Sequence, residues 1–164
     1  MTVEEPRNPF WEYSLSVYDD EVAACCLTLQ DSRGLDVNLL LYGGWLARRG
    51  LRLTQEHLRS QNSAVAGWRE EVVMPLRDLR RRLDRRGPGS ALREKLKRLE
   101  LEAERYQQDI LYRGSRVGEA PLADRHPLRE NLGLVAALGG GTESDWGPQV
   151  ARLAALLSAR SGLP

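Results

Sequence analysis

Histidine, cysteine and phenylalanine are scarce here: the 164 residues hold two, two and one of them. The cysteines, Cys25 and Cys26, are adjacent. Neighbouring cysteines seldom bridge each other, which excludes a disulfide framework and fits a reducing compartment. The histidines, His57 and His126, stand in no H-E-x-x-H or paired Glu-x-x-His arrangement, so zincin and bundle di-iron chemistry are excluded. An excess of one charge is also missing, the net being +1. Bulk composition therefore points to neither nucleic acid nor membrane. There is no apolar run of the roughly 20 residues needed to span a bilayer. The opening Met1-Thr2-Val3-Glu4-Glu5-Pro6 is acidic and has no apolar core, so no signal peptide is expected and the chain reads as cytoplasmic. Strand alternation, internal repeats and low-complexity segments are absent as well.

What is present is helical. Between Asp36 and Gly50 the chain is apolar nearly all the way round, through Val37, Leu39, Leu40, Leu41, Tyr42, Trp45, Leu46 and Ala47. A helix with no polar stripe is buried on most sides. Asp36 is placed to cap it, and Gly43 and Gly44 let a neighbouring backbone approach closely. Before it, Asn8-Pro9 opens a helix with Phe10, Trp11, Ser14, Leu15 and Tyr18 on one face. Asp19-Asp20 recaps the chain into a second helix. That helix turns Val22, Cys25, Cys26 and Leu29 inward and stops at Gly34. Thr54 caps a short helix after Gly50.

Residues 64–112 have the clearest periodicity. Val65, Trp68, Val72, Leu76, Leu79 and Leu83 recur at helical steps up to Gly87-Pro88-Gly89. Beyond that turn Leu92, Leu96, Leu99, Ala103, Tyr106 and Ile110 recur as a heptad seam does. Two helices joined this way predict an antiparallel hairpin with arms of about 30–35 Å. Pro75 falls inside the first arm and predicts a kink or break. Residues 114–126 read as loop, and 127–160 as C-terminal helices, the last lined by Trp146, Val150, Leu153 and Leu157.

Charge is distributed unevenly. Residues 1–36 carry eight acids against Arg7 and Arg33, whereas residues 77–98 carry ten bases against Asp78, Asp84 and Glu94. The basic side chains surround the hairpin tip: Arg77, Arg80, Arg81, Arg82, Arg85, Arg86, Arg93, Lys95, Lys97 and Arg98. They form either a solvated face with i, i+4 pairs such as Asp78–Arg82, or a docking tip for an acidic protein surface or RNA. Arginine suits both partners, because its planar fork pairs bidentately with carboxylate and phosphate. No aromatic residue lies between 69 and 105, which weakens stacking on single-stranded bases.

Other candidate chemistry is thin. Cys25 and Cys26 have no activating base nearby in sequence and read as core. Glu100 and Glu104 are one turn apart on what reads as a charged, solvated face. Gly139-Gly140-Gly141-Thr142 lacks the P-loop lysine and reads as a linker. Asn38 sits in a helix with no wet face. It belongs either to a capping network with Asp36 around the helix start or, with Asp31 and Asp36 near Trp45 and Trp68, to the polar wall of a small-ligand pocket.

Several motifs carry a resemblance. They are Asn8-Pro9-Phe10-Trp11 with Ser14 and Tyr18, Gln30-Asp31 with Gly34, Asp36-Val37-Asn38-Leu39-Leu40-Leu41, and Trp45-Leu46-Ala47. Trp68, Pro75-Leu76-Arg77, Leu79-Arg80 and Leu99-Glu100-Leu101-Glu102 extend them. Over roughly residues 8–112 the chain resembles a small family of uncharacterised, all-helical bacterial proteins, mostly proteobacterial. The resemblance implies a bacterial cytoplasmic protein and supplies no activity, cofactor or catalytic residue.

The sequence thus predicts an all-α protein, one domain over 1–164 with seven or eight helices, a tail at 1–7 and a long hairpin at 64–112. The leading functional expectation is a non-enzymatic interaction or adaptor protein. It would bind an acidic partner through Arg77, Arg81, Arg82, Arg85, Arg86, Arg93 and Lys97, with self-association possible, no cofactor or metal and no membrane. The alternatives are a nucleic-acid or ribosome-associated module using the same tip, and a ligand-binding protein or enzyme with a pocket at Asp31, Asp36, Asn38, Trp45 and Trp68.

Overall fold

Capping groups decide where the helices begin. Asn8 Oδ1 accepts from the N–H groups of Phe10 and Trp11 at 2.9 and 3.1 Å, and Pro9 takes the first helical position. Asp19 does the same for Glu21 and Val22, and Asp36 accepts from Asn38 N–H at 2.8 Å. The computed structural model describes residues 7–115 and 127–162, and these are all-α. The described helices are α1 (Pro9–Val17), α2 (Asp20–Arg33), α3 (Val37–Arg48), α4 (Gln55–Trp68), a π-helical turn (Arg69–Val73), α5 (Met74–Arg82), α6 (Ser90–Gly114), α7 (Leu128–Ala137) and α8 (Glu143–Ser161). Most of the N-terminal tail, the expected loop from 116 onward and His126 lie outside the described residues. No helix among the described residues is long and apolar enough to cross a membrane. The chain forms two compact units, Met1–Arg59 with Arg116–Pro164, and Ser60–Ser115.

In the first unit α3 is the centre, buried at every position from Asn38 to Ala47. It packs against α1, α2, α7 and α8. A Cβ at Gly43 would lie 3.5 Å from the Asn131 carbonyl oxygen, so α7 approaches α3 backbone to backbone there. Asn131 uses this closeness: Nδ2 donates to Gly43 O and Leu51 O at 3.1 and 3.0 Å, and Oδ1 accepts from Leu53 N–H at 2.8 Å. Phe10, Tyr42 and Trp45 form an aromatic cluster with ring centroids 5.4–5.9 Å apart. Against it, the Tyr42 hydroxyl and His57 Nε2 share a hydrogen bond of 2.7 Å. In α2 Val22, Cys25, Cys26 and Leu29 are buried and Gly34 ends the helix at φ 65°, the pattern expected. In α1 the buried face is Phe10, Tyr13, Ser14 and Val17, whereas Leu15 is exposed. The buried face is thus rotated from the expected one, with Tyr13 and Val17 inward where Leu15 and Tyr18 were expected.

The second unit is an antiparallel pairing. Gln61 Nε2 donates to Leu111 O, Trp68 Nε1 donates to Ala103 O, and Arg77 and Arg80 reach Glu100, so partners run in opposite directions along the two arms. The disturbance expected at Pro75 is a π-helical turn just before it, with Met74 N–H donating to Arg69 O five residues back. A π turn adds one residue to a turn of helix, which rotates everything beyond it relative to an α-helical count. Accordingly Leu79, expected inward, is 50% exposed. On α6 the inward line is Arg93, Leu96, Glu100, Ala103, Gln107 and Leu111, while Leu92, Leu99 and Tyr106 of the expected seam are exposed. The seam was displaced because buried ion pairs, rather than leucines, hold the middle of the hairpin.

Candidate interaction surface of the hairpin

The tip is shaped by what the arginines of α5 do first. Arg77 Nε donates to Glu100 Oε1 at 3.1 Å and its Nη2 to Glu104 Oε1 at 2.9 Å. Arg80 binds both oxygens of Glu100, through Nε to Oε2 and through Nη2 to Oε1. Glu100 is only 6% exposed, so the sequence reading of a solvated Glu100–Glu104 face is corrected. Burial alone would push the Glu100 carboxyl up, but hydrogen bonds and charge from Arg80 and Arg77 outweigh it and hold the carboxyl below its usual range. Opposite charges at Arg77/Arg80 and Glu100/Glu104, each pair one helical turn apart on facing arms, were the available signal for this network.

The remaining basic residues sort by exposure. Arg77 is mostly buried in that network, and so is Arg93, with Nη1 3.8 Å from Glu94 Oε1. Arg81, Arg82, Arg85, Arg86, Lys97 and Arg98 are exposed. They flank a turn in which Gly87 takes φ 109°, a conformation side chains disfavour, and Ser90 N–H closes on Gly87 O. The internal acids Glu100 and Glu104 are thus bound by Arg77 and Arg80, while Arg82, Arg85 and Arg86 lie exposed around the turn.

The expected pocket residues have other surroundings. Asp31 is exposed on α2, Asp36 caps α3, Asn38 is buried beside that cap, and Trp45 packs on Phe10 and Tyr42 with Arg49 above its ring. Trp68 is in the second unit, its ring 4.5 Å from that of Tyr106. An open groove of about 720 Å³ lies elsewhere in the first unit, between α7 and α8, and Gly133, Leu134, Trp146 and Val150 help to line it. None of the five expected pocket residues lines it. Sequence reasoning missed the Asn131 hub and the Tyr42–His57 pair. Burial lowers the His57 pKa, so the ring is held neutral. Burial raises the Cys25 thiol and pushes that of Cys26 up to about 12, which leaves both inert as nucleophiles. Among the described residues no group of three or more His, Cys, Asp or Glu is arranged to hold a metal ion.

Fold and surface together define an all-α protein with an ion-paired helical hairpin that ends in a basic turn. Over residues 9–111 the chain matches the family described as protein of unknown function (DUF2390), and it belongs to that family. Neither a curated protein nor a solved structure matches it.

Proposed function

We propose that this protein is a non-enzymatic interaction module that captures an acidic protein surface with its hairpin tip. The observation that carries the reading is the division of labour among the arginines: Arg77 and Arg80 are committed to Glu100 and Glu104, while Arg81, Arg82, Arg85 and Arg86 are exposed around the turn. Exposed basic side chains clustered around a turn raise encounter rates with acidic partners and add little to stability. An acidic protein is favoured over RNA because no aromatic residue accompanies the arginines between 69 and 105. The setting we infer is the bacterial cytoplasm, which suits the unbridged thiols of Cys25 and Cys26.

The test is affinity capture from a bacterial lysate, with and without nuclease. The parent protein is expected to retain the same partners after nuclease treatment. Arg81→Glu, Arg82→Glu, Arg85→Glu and Arg86→Glu combined are expected to lose them with the helical signal intact. Partners released by nuclease would replace this reading with a nucleic-acid one, and partners retained by the quadruple variant would refute the role of the tip.

A further inference from the structure

One face of the second unit is apolar and open. Leu92, Leu99 and Tyr106 recur every seven residues on α6 and are 54, 49 and 45% exposed. By helix geometry this stripe lies beside the inward line of Leu96 and Ala103, and spans about 21 Å. Its far end is held in place: the Trp68 ring lies 4.5 Å from that of Tyr106, and Trp68 Nε1 donates to Ala103 O at 2.8 Å. Three large apolar side chains at heptad spacing form half of a two-helix seam and lack the other half.

We propose that the missing half is a second copy of this chain, with α6 packed antiparallel against α6 about a two-fold axis at Leu99. The spacing is self-complementary, as an isologous interface requires. Leu92 and Tyr106 stand seven residues to either side of Leu99, so an antiparallel partner sets Leu99 on Leu99 and Leu92 against Tyr106. The charges along α6 choose this direction. Ahead of Leu99 the exposed charges are Glu94, Lys95, Lys97 and Arg98, a net positive set, whereas beyond it exposed Glu102 stands next to the stripe and Glu100 and Glu104 are already bound by Arg77 and Arg80. At the edge of the stripe, exposed Lys95 and Glu102 lie four residues before and three after Leu99, which brings Lys95 of one copy level with Glu102 of the other. Flanking charges of this kind set partner and orientation in paired helices. Parallel pairing in register would instead bring Lys95 level with Lys95 and Glu102 level with Glu102.

The surface is separate from the tip arginines, so the proposal stands or falls independently of the function proposed above. The test is sedimentation of the full chain over a range of concentrations. The parent is expected to shift from monomer to dimer, and the quadruple tip variant to do the same. Leu99→Arg, at an exposed position, is expected to stay monomeric with unchanged helical signal; Leu92→Arg provides a second disruption should that variant fold poorly. Lys95→Glu is expected to raise the dimer dissociation constant about ten-fold, because two symmetry-related pairs become repulsive. Adding Glu102→Lys to it is expected to restore the dimer. A parent that remains monomeric throughout, a dimer that survives both stripe variants, or a double variant weaker than Lys95→Glu would overturn the proposal.

Discussion

The Arg80 guanidinium holds both carboxylate oxygens of Glu100, and Arg77 adds a third contact at 3.1 Å. This arrangement, nearly buried, takes the place a leucine would occupy in an ordinary helical seam. Removing one partner from a buried ion pair strands the other, at a cost of about 3–5 kcal/mol. Glu100→Ala is therefore expected to lower the unfolding free energy by that amount in a denaturant titration. A value within about 0.5 kcal/mol of the parent, the range of ordinary surface substitutions, would mean the pair is solvated.

The same carboxylate sets an acid limb. Its pKa is lower in the folded chain than in the unfolded one, so its contribution is complete above the unfolded carboxyl value and is lost as pH falls through the folded value. Stability of the parent is expected to fall on acidification through that window, and Glu100→Gln to flatten part of the fall. An acid limb of unchanged steepness in Glu100→Gln would assign it to other carboxylates.

His57 acts in a higher window. Burial depresses its pKa, so the folded chain keeps the ring neutral beside the Tyr42 hydroxyl, while the unfolded chain takes up a proton near about pH 6.5. The stabilisation is complete above that value and is lost as pH falls through the folded pKa. His57→Phe is expected to reduce the dependence of melting temperature on pH just below neutrality, and Tyr42→Phe to leave the direction of that dependence unchanged. A parent whose melting temperature is flat between neutrality and the acid limb would contradict this assignment.

Asn131 satisfies three backbone groups from two other segments. Asn131→Leu leaves Leu53 N–H, Gly43 O and Leu51 O without that partner, at about 1–3 kcal/mol for each buried group left unmade. Chemical denaturation should show a loss of several kcal/mol, with Asn131→Asp intermediate because it keeps only the acceptor to Leu53. Equal stability of the parent and Asn131→Leu would show that water replaces the side chain.

The two readings of α6 differ in which leucine matters. Leu111 is fully buried and Leu99 is about half exposed. Leu111→Ala is expected to cost about 2–5 kcal/mol and Leu99→Ala much less, measured at a concentration where the chain is monomeric. The reverse order would restore the heptad seam read from the sequence.

That contrast marks what the sequence made legible. Helix starts at Asn8, Asp19, Asp36 and Thr54 were readable because a cap acts on N–H groups two or three residues away. Burial of α3 was readable because it has no polar stripe. The register of the hairpin was not, because a periodicity count assumes an unbroken α-helix and apolar inward positions. The π turn at Arg69–Val73 breaks the first assumption and Arg77, Arg80 and Glu100 break the second. Asn131 sits among apolar neighbours and finds Gly43 88 residues away, a contact no local pattern encodes. For the candidate surface, the basic run was visible, but which arginines are spent on internal acids required the packing.

The central claim is that the exposed tip arginines form an acid-binding surface. Its most direct measurement is fluorescence anisotropy of a labelled glutamate-rich peptide and of a labelled single-stranded RNA, each titrated with the parent and the quadruple Arg→Glu variant over a salt series. The parent is expected to bind the peptide and the variant to leave it unbound, with the RNA bound more weakly than the peptide at each salt concentration. Equal binding of the peptide by the parent and the variant would contradict the account. So would RNA bound more tightly than the peptide, its affinity falling with a log–log slope of about −0.7 per phosphate neutralised.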